Sequence, residues 1–468
     1  MSDHVLGLKC TICGAEYGVD EVEYVCPEHG DKGTLDVIYD YDLIARRISP
    51  DKLADDPTRS IWRYLPLLPV EPEATQRLIE GTVLASVGWT PLYAAPRLAA
   101  DLGLRHLWVK DDGRQPTASF KDRASAIAVA KTRQLGYEIV TTASTGNAAA
   151  ALSGLCAAVS QPNVIFVPRT APQAKITQLL VFGATVLLVD GSYDDAFELC
   201  LKAAPEFGWY NRNTAYNPYM TEGKKTAAYE ICEQLTARGL GRGARALGCR
   251  GAPLLPCASA PLPLGSPAPP LPCLSAPDRI FIPVGDGCII GGVHKGLRDM
   301  LALGWIDRMP KLMGVQAAGS SPLVDAWERG LEGLEMEPVE AHSIADSIVA
   351  GLPRDRIKAL RAVRGSRGAF IRVNDEEIIA AIPALAQGCG VFAEPAAAAA
   401  YAGLVKAVEQ GLVDPNEQVV VLATGSGLKD IASAMKSVGQ PLFIEPTMDS
   451  LRRQMASPPR RASMGRER

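Results

Sequence analysis

From about residue 80, short apolar runs alternate along the chain with stretches of helical spacing. Residues 106–110 read as a strand, and 120–134 as an alanine-rich helix with its charges on one side. A strand over 138–142 and a small-residue helix over 146–159 follow. Strands over 163–167 and 185–189 flank a helix over 174–182. This alternation predicts a parallel sheet covered by helices. It resumes with strands over 279–283, 312–316 and 419–423, and with helices over 375–387 and 395–409.

Three stretches break the rhythm. The first 45 residues carry paired cysteines and are too short to bury much core of their own. Residues 237–277 are rich in glycine and arginine, then in proline, as in Pro267-Ala268-Pro269-Pro270. Proline at that density removes backbone donors, so an extended surface insertion is expected. The last residues are arginine-rich and read as a solvated tail. The expected organisation is α/β. A small ribbon occupies 1–45, and a large domain is built from 46–134 and 278–445. A small substrate-side domain spans 135–236, the insertion 237–277 and a loose tail 446–468.

A chain of 468 residues can bury a large core and divide into domains. A formal charge of -4 provides no general basic surface for nucleic acid. No segment reads as a membrane span, and Met1-Ser2-Asp3-His4 opens no signal segment. Eleven cysteines, an odd number, argue against a complete disulfide framework and for a reducing cytoplasm. Cys10-x2-Cys13 followed by Cys26-x2-His29 has the spacing of two zinc knuckles. Three thiolates and an imidazole form a saturated, structural set with no open position for a metal-bound water. The alternative is a reduced hairpin without metal.

Lys121 stands in Ala118-Ser119-Phe120-Lys121-Asp122-Arg123, between a hydroxyl, a ring and a carboxylate. By itself it would be an ordinary surface charge. Ser144-Thr145-Gly146-Asn147, Gly285-Asp286-Gly287-Cys288-Ile289 and Thr424-Gly425-Ser426-Gly427 each lie near the end of an apolar run. Together with Lys121 they suit a lysine-bound aldehyde cofactor with a phosphate tail, pyridoxal phosphate. Gly285 to Ile289 can offer backbone N–H groups at a helix start to that phosphate. They form neither a P-loop nor GxGxxG, and Asp286 is an awkward neighbour for an anion. Ser144 and Thr145 can hold a substrate carboxylate, or simply cap a helix. Asn147 can bond the cofactor's ring oxygen, and Thr424 the pyridine nitrogen.

These same residues resemble the threonine synthases within the fold-type-II (tryptophan synthase beta-like) pyridoxal phosphate enzymes. Pro116 to Asp122 resembles the lysine motif, usually with glycine at position 118, and Ser144 to Asn147 the substrate loop. Lys175-Ile176-x-Gln178 resembles the small-domain helix, and Asn217-Pro218-Tyr219-x-x-Glu222-Gly223-x-Lys225-Thr226 the substrate-side segment. Pro283 to Gly287, Glu394-Pro395-Ala396 and Thr424 to Asp430 complete the likeness.

The resemblance implies two α/β domains with the cofactor on Lys121 between them, and a homodimer. Lys175, Ser144 and Thr145 would face the substrate. The implied reaction converts O-phospho-L-homoserine and water to L-threonine and phosphate. Three departures keep neighbouring chemistries open. Met220 stands where an arginine generally helps hold the substrate phosphate, Ser426 where many relatives have histidine, and Asp286-Gly287-Cys288 where asparagine-glycine-glycine is usual. The alternatives are threonine or serine dehydratase, diaminopropionate ammonia-lyase, a β-replacement enzyme such as cysteate synthase, and an inactive homologue with a binding role. Lys175, Lys224, Lys225 and Arg212 are the cations available to replace the missing charge.

Overall fold

The computed structural model describes residues 2–239 and 274–456. Most of the proline-rich insertion therefore lies outside the described residues. Its C-terminal edge does not behave as a surface excursion. Leu274 and Ala276 are buried, Leu274 N donates to Trp305 O, and Ser275 N donates to Thr236 Oγ1. The packed chain thus resumes at 274, a few residues before the expected boundary.

Three sheets organise the molecule. The first is a four-stranded antiparallel ribbon in the order β2-β1-β4-β3. Its strands are β1 (Val5–Cys10), β2 (Glu16–Tyr17), β3 (Val25–Cys26) and β4 (Gly30–Tyr39). The largest sheet has six strands, β5 (Leu92–Ala94), β6 (His106–Asp111), β11 (Arg279–Pro283), β12 (Lys311–Ala317), β13 (Ala369–Val373) and β14 (Gln418–Ala423). They run in the order β13-β12-β11-β14-β6-β5. Five are parallel; β5 pairs antiparallel with β6 at the edge. The periodicity did not anticipate β5, because three residues are too few to show it. The third sheet is parallel, in the order β10-β7-β8-β9. It comprises β7 (Val140–Ala143), β8 (Asn163–Pro168), β9 (Thr185–Val189) and β10 (Tyr210–Asn211).

Helices cover both parallel sheets. Those that position the site are α1 (Lys121–Gln134), α2 (Asn147–Ala158), α3 (Gln173–Val181), α4 (Tyr219–Lys224), α5 (Thr226–Ala237), α6 (Cys288–Ala302), α7 (Arg356–Gly365), α8 (Asp375–Cys389) and α9 (Pro395–Glu409). Helix α1 is buried from Asp122 to Thr132, including its charged positions Asp122, Arg123 and Lys131. These charges are held inside the protein and need internal partners. Arg123 pairs with Asp112 and Glu230, and Lys110 pairs with the same Glu230. This closed network fastens α1 to α5 and to the end of β6. The expected loose tail begins with a helix, α10 (Met448–Met455), none of whose residues is buried; residues 457–468 lie outside the described residues.

Candidate active site

The site forms where the C-terminal ends of strands from both parallel sheets face one another. β14 ends at Ala423, and Thr424 O accepts from Phe120 N at 2.8 Å, which fixes the start of α1 beside that strand. Ser426 N donates to Ala118 O at 3.0 Å, and Ser119 bridges to Gly425. Lys121 thus opens α1 at a clamped junction. Burial lowers the pKa of its ammonium, and its ionisable neighbours include Cys288, Arg212, Glu394 and Asp286. Residues far apart in sequence therefore converge on one amine. Lys121 is half-buried, and an amine partly withdrawn from water with a lowered pKa is suited to proton transfer and to bonding an aldehyde.

Asn147 opens α2 just after β7. Its Nδ2 donates to Glu394 Oε1 at 2.8 Å and Oε2 at 3.1 Å. Glu394 is 4% exposed, and burial raises its carboxyl pKa, opposed by the Asn147 bond and by nearby cations. Glu394 was not singled out as a site residue from the sequence. A carboxylate directly before the alanine-rich α9 was the available signal. Ser144 Oγ accepts from Gly146 N at 3.2 Å and does not cap α2, whose N-cap Gly146 has no side-chain bond. The helix-cap alternative is thus not realised, and the first N–H groups of α2 stay free for an anionic group. Thr145 lies half-buried in the same turn. Lys175, on α3, bonds Asp346 Oδ2 at 2.5 Å and is partly exposed. That pair joins the small-sheet side to the large one.

Gly285 to Ile289 joins β11 to α6. A Cβ on Gly285 would meet Ile348 Cα at 2.9 Å, and one on Gly287 would meet Asp355 O at 2.9 Å. Gly287 also has φ +90°, a conformation that favours glycine. It N-caps α6 with no side-chain bond, so the first N–H groups of this helix are uncapped. The awkward Asp286 is drawn aside: its Oδ1 accepts from Arg354 N at 3.3 Å and its carbonyl from Asp355 N. Burial raises the pKa of the Asp286 carboxyl and of the Cys288 thiol, so neither readily presents an anion to a phosphate. The buried hydroxyl of Ser119 has no hydrogen-bond partner. An uncapped helix start, a glycine cradle, an orphan hydroxyl and a depressed lysine fit a phosphorylated aldehyde.

The four cations considered for the missing charge sort cleanly. Met220 is fully buried in the apolar core. Lys225 pairs with Glu222 at 2.5 Å and Asp299 at 2.9 Å, and Lys175 pairs with Asp346. Arg212 and Lys224 are buried, and among the described residues their bonds are to hydroxyls only. In the ribbon, Cys10, Cys13, Cys26 and His29 present ligand atoms within 4.8 Å of one another.

Known proteins are similar to this chain. The chain is 35% identical over 446 residues to a threonine synthase of Methanocaldococcus jannaschii, covering 95% of this chain and 98% of that protein. It is 37% identical to a threonine synthase of Methanosarcina acetivorans, covering 95% and 97%. Among solved structures, the diaminopropionate ammonia lyase of Escherichia coli superposes with a TM-score of 0.59 at 18% identity, covering 82% of this chain and 93% of that one. Threonine deaminase isoform 2 of Solanum lycopersicum gives 0.55 at 21%, covering 75% and 87%. These two share the fold. The model of the family described as pyridoxal-phosphate dependent enzyme matches residues 83–247 and 272–425, which hold Lys121, the glycine cradle and both parallel sheets. The chain belongs to the pyridoxal-phosphate dependent enzyme family.

Proposed function

We propose that the protein is a threonine synthase, converting O-phospho-L-homoserine and water to L-threonine and phosphate. The observation that carries this reading is the near full-length similarity to proteins of that name. Pyridoxal phosphate, when bound, supplies an electron sink for negative charge beside the amino-bearing carbon. Lys121 would hold its aldehyde and, once released, move protons at the substrate's α and β carbons. Gly285, Asp286, Gly287, Cys288 and Ile289 would cradle its phosphate through backbone N–H groups. Asn147 and Thr424 would orient its ring, with Glu394 fixing Asn147. Ser144 and Thr145 would bind the substrate carboxylate at the start of α2, and Lys175 would close the rim. Loss of the γ phosphate and addition of water at the β carbon balance the overall reaction.

Purified protein given O-phospho-L-homoserine should release threonine and phosphate one for one. Efficient 2-oxobutanoate or pyruvate release from threonine or serine, or turnover only with sulfite, would move the assignment to a dehydratase or a β-replacement enzyme. Lys121→Ala should abolish turnover and the borohydride-trapped pyridoxyl peptide; an adduct mapped to another lysine would refute the role of Lys121.

The ribbon cluster is read as a structural zinc site. Cys10 Sγ and His29 Nδ1 are 3.9 Å apart, Cys13 Sγ and Cys26 Sγ 3.9 Å, and Cys26 Sγ and His29 Nδ1 3.4 Å. A tetrahedron with bonds of about 2.3 Å has edges near 3.8 Å. About one zinc per chain by metal analysis is expected, and its absence from freshly purified, folded protein would sink the assignment. A cytoplasmic homodimer completes the reading, checked by light scattering.

A further inference from the structure

Burying a cation without a carboxylate is costly, and this fold pairs most of its buried cations. Arg123, Lys110, Lys225 and Lys295 are all matched to Asp112, Glu230, Glu222 or Asp299. Arg356 donates to the carbonyls of Gly333 and Pro353, and Lys131 lies over the Tyr219 ring. Arg212 and Lys224 differ. Arg212 is 1% exposed; its Nε and Nη2 reach only Ser125 Oγ, at 3.2 and 3.1 Å, and its Nη1 reaches Thr214 Oγ1 at 3.0 Å. Lys224 is fully buried, and its Nζ lies 3.5 Å from the same Thr214 hydroxyl. One threonine thus joins two cations that would otherwise repel.

Their location is as informative as their lack of partners. Ser125 stands one turn after Lys121 on the same face of α1. Lys224 is seated against α6: a Cβ on Gly292 would meet Lys224 Cβ at 2.6 Å, and Cys288 lies one turn earlier on that face. The ionisable groups facing Lys224 include Cys288, Arg212, Asp355 and Lys121. The two cations therefore flank the space between the reactive lysine and the cofactor cradle. The cradle already provides backbone donors for one phosphate, whereas this pair is made of side-chain charge.

We propose that Arg212 and Lys224, bridged by Thr214, form the site for the substrate's phosphate, supplying the charge that Met220 cannot. A phosphate monoester dianion accepts charge-assisted bonds from both heads, and its departure as inorganic phosphate would leave it in the same place. The inference rests on the threonine synthase reading for the identity of the ester, but the anion site can be tested without turnover.

The test uses the holoenzyme, with calorimetric titration of inorganic phosphate beside steady-state kinetics on O-phospho-L-homoserine. Arg212→Gln and Lys224→Gln should each weaken phosphate binding and raise KM about tenfold or more. Affinity for pyridoxal phosphate and the spectral response to unphosphorylated L-threonine should stay as in the wild type. Arg212→Lys and Lys224→Arg should restore most of the phosphate affinity. Loss of pyridoxal phosphate affinity instead would show that the cations hold the cofactor, overturning the proposal. Unchanged phosphate binding with lower stability would overturn it in favour of a structural pairing of Lys224 with Asp355. Should a glutamine variant fail to fold, wild-type holoenzyme decides: inorganic phosphate must raise its unfolding midpoint, and no shift sinks the site. Phosphate binding that behaves as expected in an enzyme unable to turn over O-phospho-L-homoserine would support the anion site and reject the threonine synthase reading.

Discussion

Ala118 has φ +63°, between a bond from its N–H to Gln115 O and one to its carbonyl from Ser426 N. That left-handed conformation favours glycine. Alanine in it costs about 1–2 kcal/mol, part of which glycine would return as extra freedom in the unfolded chain. Ala118→Gly should therefore stabilise the protein by up to about 1 kcal/mol in urea unfolding, with Lys121 still attached to its cofactor. A destabilised variant would mean that the methyl packs better than the backbone suffers. Lys224 gives a pH prediction. Burial lowers its pKa to about 8, with Cys288, Arg212, Asp355 and Lys121 around it. Below that value the ammonium is charged and attracts a phosphate; above it the charge is lost. Burial lowers Arg212 to about 10, so its guanidinium remains charged across this window. KM for the phosphorylated substrate should accordingly rise as pH passes above 8, and Lys224→Arg should move that rise to higher pH. A KM flat to pH 10 in the wild type would contradict the assigned pKa or the contact.

The elements that carry the site differ in how well periodicity reveals them. β9, β11 and α9 lie where apolar runs and helical spacing put them, because each is long enough to repeat its pattern. Asn217 to Lys224 holds proline, glycine and mixed charge, and its family motif was visible while its shape was not. It forms the six-residue α4, buried on every side, so no solvent face marks its period. What seats it is close approach. A Cβ on Gly223 would lie 2.1 Å from Arg123 O, and one on Gly296 would lie 2.4 Å from Lys225 O. These glycines let α4 wedge between α1 and α6, carrying Lys224 toward Lys121. Sequence spacing could not show which of Lys175, Lys224, Lys225 and Arg212 is unpaired: only the Glu222–Lys225 pair is local, three residues apart, while Asp299 and Asp346 come from distant parts of the chain. Gly223→Ala should cost about 1–3 kcal/mol in thermal or urea unfolding and raise KM more than it lowers kcat. A neutral substitution would show that α1 and α4 can part without disturbing the site.

At the scale of the whole molecule, the ribbon is not an appendage. Tyr39, at the end of β4, donates to Glu222 Oε2 at 2.7 Å, which also pairs with Lys225. Lys358 of α7 donates to Leu35 O at 2.8 Å and pairs with Asp36 at 3.0 Å. On the other side, Asn211 N of β10 donates to Tyr24 Oη at 3.0 Å, and Tyr137 bonds Glu23. The ribbon therefore grips elements of both parallel sheets and backs the short helix that bears Lys224. The paired knuckles were legible because cysteine spacing survives without a fold; this bracing was not, because its partners lie hundreds of residues away. A metal that folds the ribbon would then stabilise the assembled domains as well as the ribbon itself. Cys10→Ser with Cys13→Ser, or removal of zinc by a chelator, should lower the unfolding midpoint by several degrees. Below that midpoint the cofactor's visible absorbance should persist, since Lys121 and the glycine cradle contribute none of the four ligands. KM for the phosphorylated substrate should rise, because α4 loses the support of Tyr39. Unchanged melting and KM after verified loss of the metal would show that the ribbon holds its shape through β1 and β4 alone. Loss of the cofactor signal well below the midpoint would place the ribbon's influence on the cradle rather than on α4.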